Sequence, residues 1–178
     1  MKVYVLRHGR TDCNDKMFMN GVLDEDINET GVQQAREAAD KIKDFPIDMI
    51  ICSPMKRAMH TAQIVNIHNV PVIYCDALTE RDVGSITGKP MPEENAVNYW
   101  NYYAPQYEDI ETVPQLFGRV HTAMNEIMAK YGDKNLLIVT HNGVCRAIHA
   151  YFNPIPRDGL IGSFGSVRNC GINEYNIP

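Results

Sequence analysis

The chain has 178 residues, 44% hydrophobic and 22% charged. That is the size and composition of one globular domain, and it excludes wholesale disorder. No apolar run approaches the ~20 residues of a membrane span, and a net charge of −5 argues against nucleic acid or an anionic membrane as partner. The five cysteines are odd in number and none are spaced C-x-x-C, so neither a disulfide framework nor a zinc site is expected. The run Val3-Tyr4-Val5-Leu6 stops at Arg7, short of the ~7–15-residue apolar core of a secretion signal, so the expected location is cytoplasmic.

Residues 2–6 read as a buried strand. A polar loop runs from there through Asn28. Val32, Ala35, Ala39 and Ile42 recur at helical steps and predict an amphipathic helix over 30–44, with Thr30 and Gln33 as a capping box. Met49–Cys52 is a second strand. Ser53 and Pro54 read as the N-cap and first residue of the next helix, whose buried stripe is Met55, Ala58, Ala62 and Val65. Residues 71–75 read as a third strand.

Residues 84–113 break this rhythm. They carry prolines, the acidic residues Glu93, Glu94, Glu108, Asp109 and Glu111, and a cluster of Tyr99, Trp100, Tyr102, Tyr103 and Tyr107. They read as a short cap-like insertion with one helix near 93–103. Pro114 opens a long helix with Phe117, Val120, Met124 and Ile127 on one face, closed by Gly132. Leu136–Val139 is a fourth strand, 143–152 a short helix, and 171–176 an edge strand. Strands alternating with helices predict an α/β fold in one domain over 1–178: a three-layer sandwich with a mostly parallel central sheet and helices on both faces.

In such sheets ligands bind outside the carboxyl ends of the strands. Arg7-His8-Gly9-Arg10-Thr11 and Asn14 follow the first strand. Ser53-Pro54 and Arg57 follow the second, Thr79-Glu80-Arg81 the third, and Thr140-His141-Asn142-Gly143 the fourth. Two arginines on one rim ask for an anion, because planar guanidinium donors match phosphate oxygens. Backbone N–H groups at the helix starts near Ser53 and Asn142 would add to that pocket. A histidine between arginines has its imidazolium form disfavoured and stays a neutral nucleophile. One histidine then attacks phosphorus, the other steadies the developing charge, and Glu80 protonates the leaving oxygen. The competing role for Glu80 is an ion pair with Arg81.

Leu6-Arg7-His8-Gly9-Arg10-Thr11 with Asn14 resembles the signature of the histidine phosphatase superfamily, the phosphoglycerate mutase-like group of branch 1 type. Gly31-x-x-Gln34-Ala35, Ser53-Pro54-x-x-Arg57-Ala58-x-x-Thr61-Ala62, Leu78-x-Glu80-x-x-x-Gly84 and Thr140-His141-Asn142-Gly143-Val144-x-Arg146 resemble further family segments in the same order. The resemblance implies a phosphoglycerate mutase-like fold and a histidine acid phosphatase-type enzyme. His8 would be the phosphorylated nucleophile. Arg7, Arg57 and His141 would form the phosphate pocket, and Glu80 would be the proton donor. Asn14 and the backbone at Asn142 would be secondary phosphate contacts. It implies a covalent phosphohistidine, with no metal and no cofactor. Arg10, Arg81, Tyr99 and Trp100 are candidate substrate contacts.

The expected partner is a small-molecule phosphate ester, and an exposed edge strand is a candidate surface for a homodimer. Three readings stay open beside hydrolysis of a phosphomonoester: a cofactor-dependent phosphoglycerate mutase, a non-catalytic phospholigand-binding module, and a metal-dependent hydrolase. The insertion is short and acidic, with Lys89 as its only basic residue. That favours a phosphatase acting on a partly apolar or sugar-like ester.

Overall fold

The computed structural model describes residues 1–177 except 92, 94–97 and 105–107. Five strands form one sheet: β1 (Lys2–Arg7), β2 (Met49–Cys52), β3 (Val72–Tyr74), β4 (Leu136–Thr140) and β5 (Ile172–Asn176), in the order β3-β2-β4-β1-β5. β1, β2, β3 and β4 run parallel to one another, and only β5 is antiparallel, pairing Val3 with Tyr175 along the outer edge of β1. Apolar side chains point to both faces of β1, β2 and β4, so their sequences read as unbroken hydrophobic runs.

The pleat sorts those side chains into two cores. On one face Val3, Val5, Ile51, Leu136 and Ile138 pack against Phe117, Val120 and Met124 of α4 (Val113–Tyr131) and Ile148 of α5 (Asn142–Phe152). On the other, Tyr4, Leu6, Ile50, Leu137 and Val139 meet α2 (Glu29–Ile42) and α3 (Lys56–Val65). These two helices present mainly alanines, Ala35, Ala38, Ala39, Ala58 and Ala62, and small side chains let a helix lie close on the sheet. The result is the expected three-layer α/β sandwich. Truncating a buried anchor such as Phe117 costs about 3–5 kcal/mol in cores of this kind.

Helix starts differ from expectation in ways that matter for the site. A four-residue helix, α1 (Asp12–Asp15), stands in the loop after β1, closed by a capping box in which Thr11 and Asn14 exchange hydrogen bonds. The segment is too short to show hydrophobic periodicity. α2 is capped by Asn28, whose Oδ1 accepts from Gly31 N at 3.0 Å, and not by a Thr30–Gln33 box. α3 begins at Lys56, after an extended Met55. Ser53 is not its cap: its hydroxyl meets His141 Nε2 and accepts from the Met55 N–H at 3.4 Å, one residue ahead of the helix. Asp24 accepts from the Lys56 N–H instead, at 2.8 Å. The start of α3 is thus occupied by a carboxylate and does not contribute to an anion pocket.

Between β3 and α4, two 3₁₀ turns (Asp76–Leu78 and Gly84–Ile86) and a turn at 98–100 carry the chain. The helix expected near 93–103 lies in part on 94–97, outside the described residues. Val83, Ile86, Tyr99 and Ile110 form a small core of their own, so this segment is anchored by its own apolar packing. α4 starts at a Thr112–Gln115 capping box with Pro114 in its first turn, and Gly132 closes it.

Candidate active site

Parallel register brings the strand exits together. Arg7 pairs with Thr140 and Cys52 with Val139. The ladder runs on past the strand ends, with His8 N donating to Thr140 O at 2.8 Å and Ser53 N to Val139 O at 3.0 Å. Chain segments 133 residues apart, Arg7 and Thr140, therefore leave the sheet side by side. Thr140 Oγ1 donates to Leu78 O at 2.8 Å, which ties the turn before Glu80 to the same rim.

His8 is 3% exposed and His141 fully buried, with ring centroids 5.2 Å apart. The hydrogen bonds assign their tautomers. His8 Nδ1 lies 2.7 Å from Gly9 O. A carbonyl only accepts, so Nδ1 carries the proton and Nε2 keeps its lone pair. Arg57 Nε only donates, and it points at His141 Nδ1 at 3.2 Å. The His141 proton therefore sits on Nε2 and is donated to Ser53 Oγ at 2.7 Å. Burial holds both imidazoles well below the usual histidine range, with Arg57 as the next cause for each. Burial, and not the neighbouring guanidiniums, is the leading reason that they stay neutral.

Gly9 is where His8's loop crosses α2. A Cβ there would stand 2.6 Å from Gly31 O, so two glycines allow the backbones to touch. Gly9 N donates to Thr61 Oγ1 at 3.0 Å, and Thr61 Oγ1 donates to Arg57 O at 2.6 Å. The loop that carries His8 is held from both sides.

His8 opens onto a cavity of about 240 Å³, shared with Arg7, Asn14, Glu80 and Asn142. Arg7 Nη1 donates to Val167 O at 3.0 Å, while its buried Nε has no hydrogen-bond partner. The Arg7 guanidinium brings positive charge to the cavity beside His8. Glu80 faces it with both oxygens fixed by backbone: Oε1 accepts from Arg81 N at 2.9 Å and Oε2 from Gly143 N at 3.3 Å. Its own carbonyl accepts from Arg119 Nη2 at 3.1 Å. Asn142 Oδ1 accepts from Ser166 Oγ and Val167 N, which leaves the start of α5 facing the cavity. Asn14 Oδ1 accepts from Thr11 N and Asn169 Nδ2.

Other expected residues take different places. Arg57 lies behind His141, and its remaining hydrogen bonds go to Leu23 O at 2.6 Å and Gly21 O at 2.9 Å. These bonds orient the imidazole and fasten the 21–23 loop. Arg10 turns outward to Asp15 in an exposed ion pair and is not among the residues that line the cavity. Arg81 lines the cavity together with Tyr99 and Trp100. It does not pair with Glu80: its guanidinium donates to Glu111 O and Tyr99 O.

Sequence reading missed Asn169, which holds His8 O and Asn14 from 161 residues away. It also gave no role to Phe18, Met19 and Val83 in the cavity wall. Arg146 was quoted only as part of a motif, yet it borders the cavity. Its spacing, four residues after Asn142 on the same helix face, is a signal that could have found it. A larger surface groove of about 630 Å³ beside α3 and β3 contains neither His8 nor Glu80. Among the described residues no group of three or more His, Cys, Asp or Glu could hold a metal ion.

The profile of the histidine phosphatase superfamily, branch 1, matches residues 3–177. The chain is 36% identical over 154 residues to the uncharacterized phosphatase PhoE of Bacillus subtilis (strain 168), covering 86% of this chain and 76% of that one. It is 29% identical over 189 residues to a metal-independent phosphoserine phosphatase of Arabidopsis thaliana, covering 99% and 76% of the two chains. The solved structure of YhfR from Bacillus stearothermophilus superposes with a TM-score of 0.86 at 26% identity, covering 99% and 91%. The chain belongs to the histidine phosphatase superfamily, in the phosphoglycerate mutase-like group, and phosphatase activity is the function that this membership supports.

Proposed function

We propose that this chain hydrolyses small phosphomonoesters through a phosphohistidine at His8, without a metal or cofactor. The single observation that carries this reading is the set of proton positions around His8. Nδ1 is held by Gly9 O, so the lone pair is on Nε2, in a cavity that Arg7 also lines.

Nε2 attacks phosphorus, an N–P bond forms and the P–O bond to the alcohol breaks. Glu80 gives its proton to the departing oxygen. Arg7 and the Asn142 N–H at the start of α5 take the charge of the phosphoryl oxygens. His141 joins them by exchanging Ser53 Oγ for a phosphoryl oxygen as acceptor of its Nε2 proton. Arg57 keeps that proton on Nε2 by occupying Nδ1. Water then attacks the phosphohistidine, Glu80 takes its proton, and inorganic phosphate leaves with His8 neutral again.

The test is His8→Ala. Turnover of p-nitrophenyl phosphate should fall by at least about 10³-fold while the circular dichroism spectrum is retained, and chelator should leave the wild-type rate unchanged. Activity of His8→Ala within tenfold of wild type excludes the covalent route, and loss of turnover in chelator sinks metal independence. A bisphosphoglycerate-dependent mutase assay run beside it decides whether water or a second substrate oxygen receives the phosphoryl group.

A further inference from the structure

We propose that Trp100 sets the specificity of the cavity. Its indole, clasped between the guanidiniums of Arg81 and Arg146, makes the leaving-group side a wall that accepts an uncharged alcohol portion. An alcohol portion carrying a second anionic group, a carboxylate or another phosphate, is rejected. The inference rests on the phosphomonoester reading above and adds the class of substrate to it.

Three cations border the cavity, Arg7, Arg81 and Arg146, and they are not equivalent. Only Arg7 has a buried donor without a partner. Arg81, 1% exposed, donates to Glu111 O at 2.6 Å and Tyr99 O at 2.7 Å. Arg146, 5% exposed, donates to Ile161 O at 3.0 Å, Gly162 O at 2.6 Å and Asn142 O at 3.2 Å. Two N–H groups of Arg81 and three of Arg146 thus hold backbone carbonyls.

Their faces are covered as well. Arg146 Cζ lies 4.1 Å from the Trp100 ring and Arg81 Cζ 5.1 Å from it, with Tyr99 4.3 Å from Arg81. A guanidinium binds anions through its N–H edge and aromatic rings through its face. With both engaged, neither arginine can turn to a carboxylate without giving up several bonds. The positive charge serves to fasten the 99–100 turn and the 161–162 strand of loop to the body of the domain. What remains for a ligand is the indole, continued by Phe18, Met19 and Val83.

Trp100 is also in the right place. Its Cη2 is 3.0 Å from where a Cβ on Gly143 would stand, and Glu80 Oε1 is 2.4 Å from the same point. The indole edge and the proton-donating carboxylate are therefore neighbours over Gly143, on the side from which the alcohol leaves. The cavity of about 240 Å³ holds a phosphoryl group and only a compact alcohol portion. A second anion in that space would be stripped of water with no charge-assisted partner.

The experiment uses two non-hydrolysable probes, benzylphosphonate and 4-carboxybenzylphosphonate, titrated calorimetrically into the full chain. Wild type should bind the first roughly a hundredfold more tightly. Trp100→Phe, which keeps a ring face, should retain that preference. Trp100→Ala should lose at least about tenfold of it, and Trp100→Gln repeats the test with more bulk in place of the indole. Equal affinity of wild type for the two probes overturns the proposal whether or not any variant folds. So does a preference unchanged in Trp100→Ala or Trp100→Gln. Failure to bind either phosphonate removes the cavity as a ligand site and the proposal with it. The corresponding esters separate the two claims. Selective binding without turnover sinks the hydrolytic reading alone, and turnover without selectivity sinks only the role given to Trp100.

Discussion

Lowering the pH below 7 should destabilise this protein earlier and more steeply than carboxylate titration alone would. His8 and His141 are buried, and both are held well below the usual histidine range, by burial first and by Arg57 next. A proton added to His141 Nδ1 would face the Arg57 Nε–H across 3.2 Å, N–H against N–H. The folded chain therefore refuses protons that the unfolded chain accepts near pH 6.5. For a histidine whose folded value is depressed, the stability is fully present above the unfolded value. It is lost as pH falls toward the folded one.

Each such site contributes a slope of about 1.4 kcal/mol per pH unit once the unfolded imidazole is charged. Between pH 7.5 and 5.5 the pair removes about 2.7 kcal/mol, a large share of the ~5–15 kcal/mol that holds a domain folded. His149, lowered by its own burial, acts in the same direction. The measurement is urea unfolding at pH 7.5, 6.5 and 5.5, on wild type and on His8→Asn, whose amide retains a donor for Gly9 O. The variant should lose about half as much stability across this window as the pair accounts for. A wild-type stability that is flat between pH 7.5 and 5.5, or a fall of the same size in His8→Asn, refutes the assignment of neutral buried imidazoles.

Two further substitutions probe the site's geometry. Gly9→Ala places a Cβ 2.6 Å from Gly31 O, and backbone cannot yield there. It should lower the urea midpoint by the equivalent of about 1–3 kcal/mol and cut kcat/KM roughly a hundredfold by displacing His8. An unchanged midpoint and rate would mean that the crossing of the two glycines is looser than described. Glu80→Gln keeps the reach to Gly143 N but cannot deliver a proton. It should slow alkyl phosphates about 10²-fold or more while sparing p-nitrophenyl phosphate, whose leaving group needs no acid. Equal losses on the two esters would take Glu80 out of the acid role.

Much of the fold was legible because parallel strands buried on both faces are written as short apolar runs, and Val3–Leu6, Met49–Cys52 and Leu136–Val139 cannot satisfy a helix of that length. The long helix was legible from Phe117, Val120, Met124 and Ile127, whose period survives in the packed core. The same alternation located the site, since strand exits in a parallel sheet share one edge, and His8, Glu80 and His141 each follow a strand. Helix starts were less legible. Asp24 caps α3 from 32 residues away, and no local pattern announces a cap supplied by another loop.

The sequence by itself determined which residue types reach the rim and in what order, because periodicity and strand exits are local properties of the chain. Which of those groups face a ligand was decided only by tertiary structure. Arg7 and Arg57 are equal as letters, yet Arg7 lines the cavity beside His8, while Arg57 lies behind His141 and holds its Nδ1 and two carbonyls. Arg10 sits two residues from His8 and points to solvent, while Asn169, 161 residues distant, holds the carbonyl of His8. The physical reason is that a buried polar group must find its partners wherever the packed chain supplies them, and those partners are seldom its neighbours in sequence.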